Sequence, residues 1–466
     1  MTGIPLITTF AVAIVLMIVM ISKWRIHPFI SIMLVSFGLG LIGGIPLVDK
    51  EDEAGETVSG IATVIGEGFS GTFTSIGIVI ILGALIGLIL EKTGAAFQIA
   101  DALVRVIGRK RPVLAMQLMG WVVSIPVFCD SGFVILNPIR RALARRTASS
   151  SVAMTVALAA GLYIAQVFIP PTPGPIAAAN TLGISDKLLL VIGLGTIVSV
   201  PALIVSYIYA VWIGKRVRST EDEDGLNDAE LEGLYEELRS SYGRLPSATV
   251  SFLPILVPIL AMAAGSVGSV LGWPGLLGDV VGFFGTPIIA LALGLILAVA
   301  VLGSLGRIKE FYTITEETLK VVGRILFITA AGGVLGKVIA NTDLVDFVQD
   351  NATVFASLGL FFPFIVSAIL KTAQGSSTVA LVTAAGIVAP LLPALGLESP
   401  TQVALAVMAI SARAMTVSHA NNSYFWVVAN FGGMTPQQGY RTQTTVTLLM
   451  GLTSIIIIWI LGILLI

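Results

Sequence analysis

Charge is scarce in this chain. Only 11% of its 466 residues are Asp, Glu, Lys or Arg, while 56% are hydrophobic, whereas an ordinary soluble domain is about one-quarter charged. Cysteine occurs once, at Cys129, so no intramolecular disulfide can form and no thiol cluster suggests a metal. Histidine occurs twice, and the net charge of -1 excludes a basic nucleic-acid binder. No G-x-x-x-x-G-K-[ST] loop is present, which argues against a nucleotide-driven pump. The opening MTGIPLITTF lacks the basic start of a cleaved signal peptide, so its apolar run is read as a retained span. No cofactor is expected.

What is abundant is apolar sequence broken by glycine and proline, 49 and 21 residues respectively. Crossing a bilayer takes about 20 apolar residues in a helix. Candidate spans are 5–22, 28–46, 74–93, 151–184, 187–213, 250–269, 280–303, 319–340, 400–433 and 443–466. Both 151–184 and 400–433 are too long for one straight helix and carry polar breaks near their centres. The stretches 112–139 and 356–395 are interrupted by polar tips and read as re-entrant hairpins. Basic residues favour the cytoplasmic side. The clusters Lys23/Arg25, Arg105–Arg111, Arg140–Arg146, Lys215–Arg218 and Arg307/Lys309 fall there if the N-terminus is outside, which makes the acidic loop 47–72 external. Segment 214–249 turns acidic after GKRVR and reads as a solvated cytoplasmic linker with a short surface helix, Leu231, Leu234, Tyr235 and Leu238 recurring at helical spacing.

The linker divides the chain into two similar halves. GALIGLILEKTG (83–94) matches GGVLGKVIANTD (332–343), with Gly87 on Gly336 (336 − 87 = 249) and Thr93 on Thr342. The same shift sets PPTPGP (170–175) against HANNSY (419–424), and HPFISIMLVSFGLGLIGG (27–44) resembles TPIIALALGLILAVAVLG (286–303) at a slightly larger shift. Five spans and one hairpin per half invert the second half in the membrane. Inverted repeats with discontinuous helices meeting at midplane are a recurring plan of secondary transporters. The expected fold is therefore an all-α polytopic membrane protein of two inverted repeats, each of five transmembrane spans plus one re-entrant helical hairpin.

Four polar breaks are expected to converge: SIPVFCDSG (124–132), IPPTPGP (169–175), KTAQGSST (371–378) and SHANNS (418–423). A backbone group freed in hydrocarbon costs several kcal/mol unless it finds a partner, and a solute-filled cavity can supply one. A helix starting at GSST presents N–H donors to a carboxylate, with Ser376, Ser377 and Thr378 adding hydroxyls. Helix-contact hydroxyls are the plain alternative. Asp130 is the only carboxylate of the first hairpin, and an ionisable group at that depth is a functional candidate. It could take a proton, coordinate sodium or bond the solute, or merely cap the following helix. His419 could titrate, and Asn421, Asn422 and Ser423 offer amide and hydroxyl groups. The tips add Ser131 and Gln374. Lys337, Lys371 and Arg413 are embedded; Lys371 could attract an anion, and snorkelling is open to the others. An intramembrane hydrolase would need paired acids or a His/Glu metal site, and Asp130 has no acidic partner in the second half's breaks. A channel without alternating access is the other competing class.

Taken together and in order, HPF (27–29), GEGFSGT (66–72), PVFCDSGF (126–133), PPTPGPIAAA (170–179), AQGSSTVAL (373–381) and SHANNSYFW (418–426) resemble the gluconate permease family, part of a larger ion-transporter superfamily. The resemblance implies proton-coupled import of gluconate or a related small hydroxy acid into the cell across the inner membrane, with a sodium-coupled carboxylate or amino-acid-like anion symporter as the alternative. It also implies an elevator mechanism. Segments 1–111 and 250–345 would form a scaffold that pairs in a homodimer, while 112–213 and 346–466 would form the transport parts, joined by linker 214–249. Site roles implied by the resemblance fall on Asp130, Thr172, Gly174, Gly375, Ser376, Thr378, His419 and Asn421. Relative to the family pattern this chain has Cys129 where an aromatic is common and Asn422 where an aspartate is common, which leaves Asp130 as the main acid.

Overall fold

The computed structural model describes residues 4–51, 57–103, 111–147, 149–223, 239–342, 358–374, 376–420 and 422–465, and these are almost entirely helical. The first half runs α1 (Ile4–Ser22), α2 (Pro28–Ile42), α3 (Ile61–Thr72), α4 (Ile78–Lys92), α5 (Ala95–Leu103), α6 (Pro112–Val123), α7 (Cys129–Arg146), α8 (Ser151–Phe168), α9 (Pro173–Thr181) and α10 (Leu188–Ile213). The second runs α11 (Ala248–Leu271), α12 (Gly275–Gly285), α13 (Pro287–Ser304), α14 (Phe311–Ala340), α15 (Phe361–Gln374), α16 (Ser377–Val388), α17 (Pro400–Met415), α18 (Ser423–Phe431) and α19 (Thr445–Leu465).

Among the described residues six helical stretches are long and apolar enough to cross a membrane. A seventh is α4 with α5, bent by 73°. Their outer faces carry large apolar side chains, such as Ile204 and Ile208 on α10, Leu260 on α11, Ile296 on α13 and Ile456 on α19. Exposed hydrocarbon of this kind suits lipid contact, since helices satisfy their own backbone groups there. In contrast, α8 and α17 are buried along nearly their whole length and form the centre of the bundle.

Each break has a local cause. Pro112, Pro173 and Pro400 begin helices at positions where the missing N–H is no loss. The hairpin of α6 and α7 lies against α8 through glycine: a Cβ on Gly161 would come within 2.0 Å of the Gln117 carbonyl, so only glycine allows the two backbones to meet. The Gln117 amide crosses from α6 to α10, donating to the Leu203 carbonyl at 3.0 Å and to Ser206 Oγ at 2.7 Å.

Helix bounds recur at the 249-residue shift. Pro112 and Phe361 open the two hairpins, and Ser151 and Pro400 open the two broken helices. The rod formed by α3, a π-helical stretch Phe73–Gly77 and α4 corresponds to the single helix α14. Three expectations need correction. Loop 47–72 contains a two-stranded hairpin, Lys50–Glu51 with Thr57–Val58, and all of α3. Gly60, the N-cap of α3, has no side chain of its own, and Asp49 Oδ1 substitutes by accepting from its N–H at 2.6 Å and from Thr63 Oγ1 at 2.8 Å. These bonds hold the Asp49 carboxyl below its ordinary pKa, the Gly60 N–H contributing most. Span 280–303 is not one helix: Thr286 is extended between α12 and α13, because Pro287 disfavours helical backbone in the residue before it. Span 319–340 begins earlier, at Phe311. The proposed surface helix at Leu231–Leu238 lies outside the described residues.

The start of the linker is tied to the bundle. Arg140, fully buried on α7, donates from Nη2 to Glu221 Oε2 at 2.6 Å and to the Phe431 carbonyl at 3.3 Å. Its Nε bonds Asn137 Oδ1 at 2.8 Å and its Nη1 bonds Ser151 Oγ at 2.7 Å. Arg141 Nε adds a 3.1 Å ion pair to Glu221, and Asp222 accepts the Ser151 N–H at 2.9 Å.

Candidate functional site

Three of the four breaks open onto one cavity of about 690 Å³. The first hairpin tip contributes Phe128, Cys129 and Asp130; the second contributes Ser376, Ser377 and Thr378; the second broken helix contributes Asn422 and Ser423. Tyr163 and Gln166 of α8 form its floor, and Lys320, Val321, Arg324, Ile325 and Ile328 of α14 form the facing wall. The volume falls in the range of small-molecule sites.

Asp130 lies in the first turn of α7. Its carboxylate is only loosely held: Ser423 Oγ donates to Oδ1 at 3.4 Å, and Cys129 Sγ lies 3.8 Å from Oδ2. It also lines a second cavity of about 290 Å³, together with Ser131 and Glu91. Opposite it, Ser376 caps α16 by accepting the Val379 N–H at 3.4 Å. The Ser377 hydroxyl bonds Tyr163 Oη, a contact between the two halves of the chain.

Asn422 lines the cavity, but both N–H groups of its amide and one acceptor position are taken within the protein. Nδ2 donates to Tyr163 Oη and Ser418 Oγ, each at 3.0 Å, while Oδ1 accepts the Tyr424 N–H at 3.1 Å. It is the N-cap of α18 and holds the break open. Thr172 is not among the lining residues; its hydroxyl donates to the Gln166 and Ile169 carbonyls at 2.9 and 2.8 Å, tying off the end of α8. Nor is Gly174, where a Cβ would meet Leu381 Cδ1 at 2.8 Å. His419 is half-buried beside the cavity and does not line it. Lys371, 1% exposed, lies near enough to Asp130 and His419 for its charge to act on both. Arg413 stacks its guanidinium 5.7 Å from the Phe364 ring centre, and Lys337 pairs with Glu67 at 3.0 Å. Gly375, Asn421 and the side chain of Gln374 lie outside the described residues.

Sequence reasoning missed Tyr163, Gln166, Lys320 and Arg324. The first two left a signal, as polar groups three apart in an apolar run just before PPTPGP. Lys320 and Arg324 left none, because cations near the start of a span read as its cytoplasmic flank.

The chain matches the description "GntP family permease" over residues 4–464. It belongs to that family. The Escherichia coli inner membrane permease YgbN is similar at 30% identity over 98% of this chain and 99% of its own length. A Zymomonas mobilis gluconate permease is similar at 29% identity over 96% and 95% respectively. Among solved structures, Neisseria gonorrhoeae MtrF, presented as one of a class of antimetabolite efflux pumps, superposes with a TM-score of 0.63 at 16% identity, covering 95% of each chain. That likeness is one of fold. The permease is thus a membrane transport protein, not an enzyme, with several helices long and apolar enough to span a membrane.

Proposed function

We propose that this permease is a secondary active importer of gluconate or a related small hydroxycarboxylate, driven by proton symport. The observation that carries the reading is the shared cavity, where Asp130 meets the hydroxyls of Ser376, Ser377, Thr378 and Ser423 beside the N-terminus of α16. Hydroxyls suit a polyol chain, the helix N-terminus suits a carboxylate, and the loosely held Asp130 can exchange a proton. Relatives called gluconate permeases supply the solute class. The test is uptake of labelled gluconate and a panel of short hydroxy acids into proteoliposomes with imposed proton or sodium gradients. Accumulation driven by a proton gradient is expected, and no gradient-driven accumulation of any solute would sink the reading.

The mechanism we propose is an elevator built from two inverted repeats, with the scaffold in 1–111 and 250–345, the moving parts in 112–213 and 346–466, and the linker 214–249 on the cytoplasmic side. The recurring helix bounds support the repeat. An asymmetry between the halves supports movement. Gly332 and Gly336 of α14 pack against Val382 and Gly386 of α16, whereas the matching Gly83 and Gly87 of α4 meet the backbone carbonyls of Pro171 and Pro126, which belong to the breaks. In this reading the seam between α14 and α16 is closed while α4 is engaged by the breaks at Pro126 and Pro171, and the cavity faces the cytoplasm. A Cβ on Gly386 would lie 2.3 Å from the Gly332 carbonyl. Gly386→Ala should therefore penalise the closed seam by about 1–3 kcal/mol, shifting the balance of states roughly 5–150-fold. Accessibility labelling of a cysteine placed at Thr378 measures that shift; unchanged labelling with unchanged uptake would count against a moving seam.

A further inference from the structure

We propose that Lys320 and Arg324 are a carboxylate-binding pair that fixes the orientation of the solute, a role resting on the hydroxycarboxylate reading above. Both line the main cavity from α14, both are exposed within it, and neither forms an ion pair among the described residues. They stand four apart on one helix face, where like charges repel by a few tenths of a kcal/mol. Acids do occur nearby on the same helix, but Glu317 is paired with Lys92 at 2.8 Å and Glu316 accepts from Tyr312 Oη at 3.4 Å. Two unpaired cations in a helix long and apolar enough to span a membrane are a functional signal.

The facing wall explains what they could hold. The N-terminus of the 12-residue helix α16, with Ser376, Ser377 and Thr378, borders the same cavity, so N–H donors and cations address one space from two elements. A planar carboxylate fits the Arg324 fork bidentately, with Lys320 adding a point charge. Asp130 lines the same cavity and, holding the co-transported proton, presents a neutral carboxyl group to the solute's hydroxyls. The carboxylate is thus directed to Lys320 and Arg324, and the hydroxylated tail to Asp130 and Ser423. The plain alternative is that the two cations only help set membrane orientation, which predicts no effect on solute affinity.

The experiment compares wild type, K320Q, R324Q, the double variant and R324K in proteoliposomes, measuring KM and Vmax for labelled gluconate, or for whichever panel acid the wild type accumulates best. The double variant is expected to raise KM at least about tenfold, as lost charge-assisted bonds should, with Vmax within about twofold. R324K should fall between. Added salt should raise the wild-type KM and leave the double variant nearly flat. A double variant with wild-type KM in an active carrier, or one that loses Vmax alone, overturns this role and leaves the function standing. A wild type that accumulates no hydroxycarboxylate overturns both.

Discussion

Asp130→Asn should reduce gradient-driven uptake to the level of protein-free vesicles while leaving the protein folded. The structure separates these two effects. A carboxylate kept as a helix cap would bond the N–H groups of the following turn, whereas Asp130 meets a 3.4 Å hydroxyl, a 3.8 Å thiol and the N–H of its own residue. What asparagine forfeits in stability is the first-turn dipole contribution, about 0.3–1 kcal/mol. What it forfeits in function is the exchangeable proton. Solute-for-solute exchange, which needs no net proton movement, should persist in the variant, and labelled counterflow measures it. Wild-type accumulation by Asp130→Asn would remove the residue from coupling, and loss of both activities would show that its carboxyl group is required for solute binding as well.

The largest effect on stability is expected at Arg140. Its guanidinium is fully buried and holds Asn137, Ser151, Glu221 and the Phe431 carbonyl at once. Arg140→Ala takes from Glu221 its 2.6 Å guanidinium partner while Arg141 still pairs with it, and breaking such a buried pair costs about 3–5 kcal/mol. Thermal unfolding in detergent should show a marked drop in midpoint. Arg140→Lys should recover little, because an ammonium cannot reproduce the fork. Adding Glu221→Ala to Arg140→Ala should restore part of the loss, since the stranded charge goes with it. A single variant that melts with the wild type would show that the network contributes little.

The breaks were legible in sequence for a physical reason. Proline, glycine and polar residues inside an apolar run demand a partner for freed backbone groups, and PVFCDSG, QGSST and SHANNS announce it locally. The paired hairpins and the 249-residue shift followed from the same runs. α3 was not legible, because GEGFSG looks like a loop until Asp49, more than ten residues upstream, supplies its cap. The roles of Thr172 and Asn422 were hidden too, since a hydroxyl or amide can serve a solute or a neighbouring carbonyl and only the fold decides. Lys320 and Arg324 needed the tertiary structure outright: nothing in the sequence says which face of α14 lines the cavity.

Tyr163, on α8 of the first half, bonds Ser377 and Asn422 of the second, and Arg140 reaches Phe431 in the same way. The halves are therefore not domains laid side by side but interlocked pieces whose shared surface is the core itself. The linker's ends belong to that surface too, since Glu221 holds Arg140 and the Tyr242 ring lies against Phe97, so the neutral place for a cut lies between them. A chain severed there would keep its architecture provided both fragments were synthesised together, and either fragment made alone would expose a seam of buried polar groups with no partner.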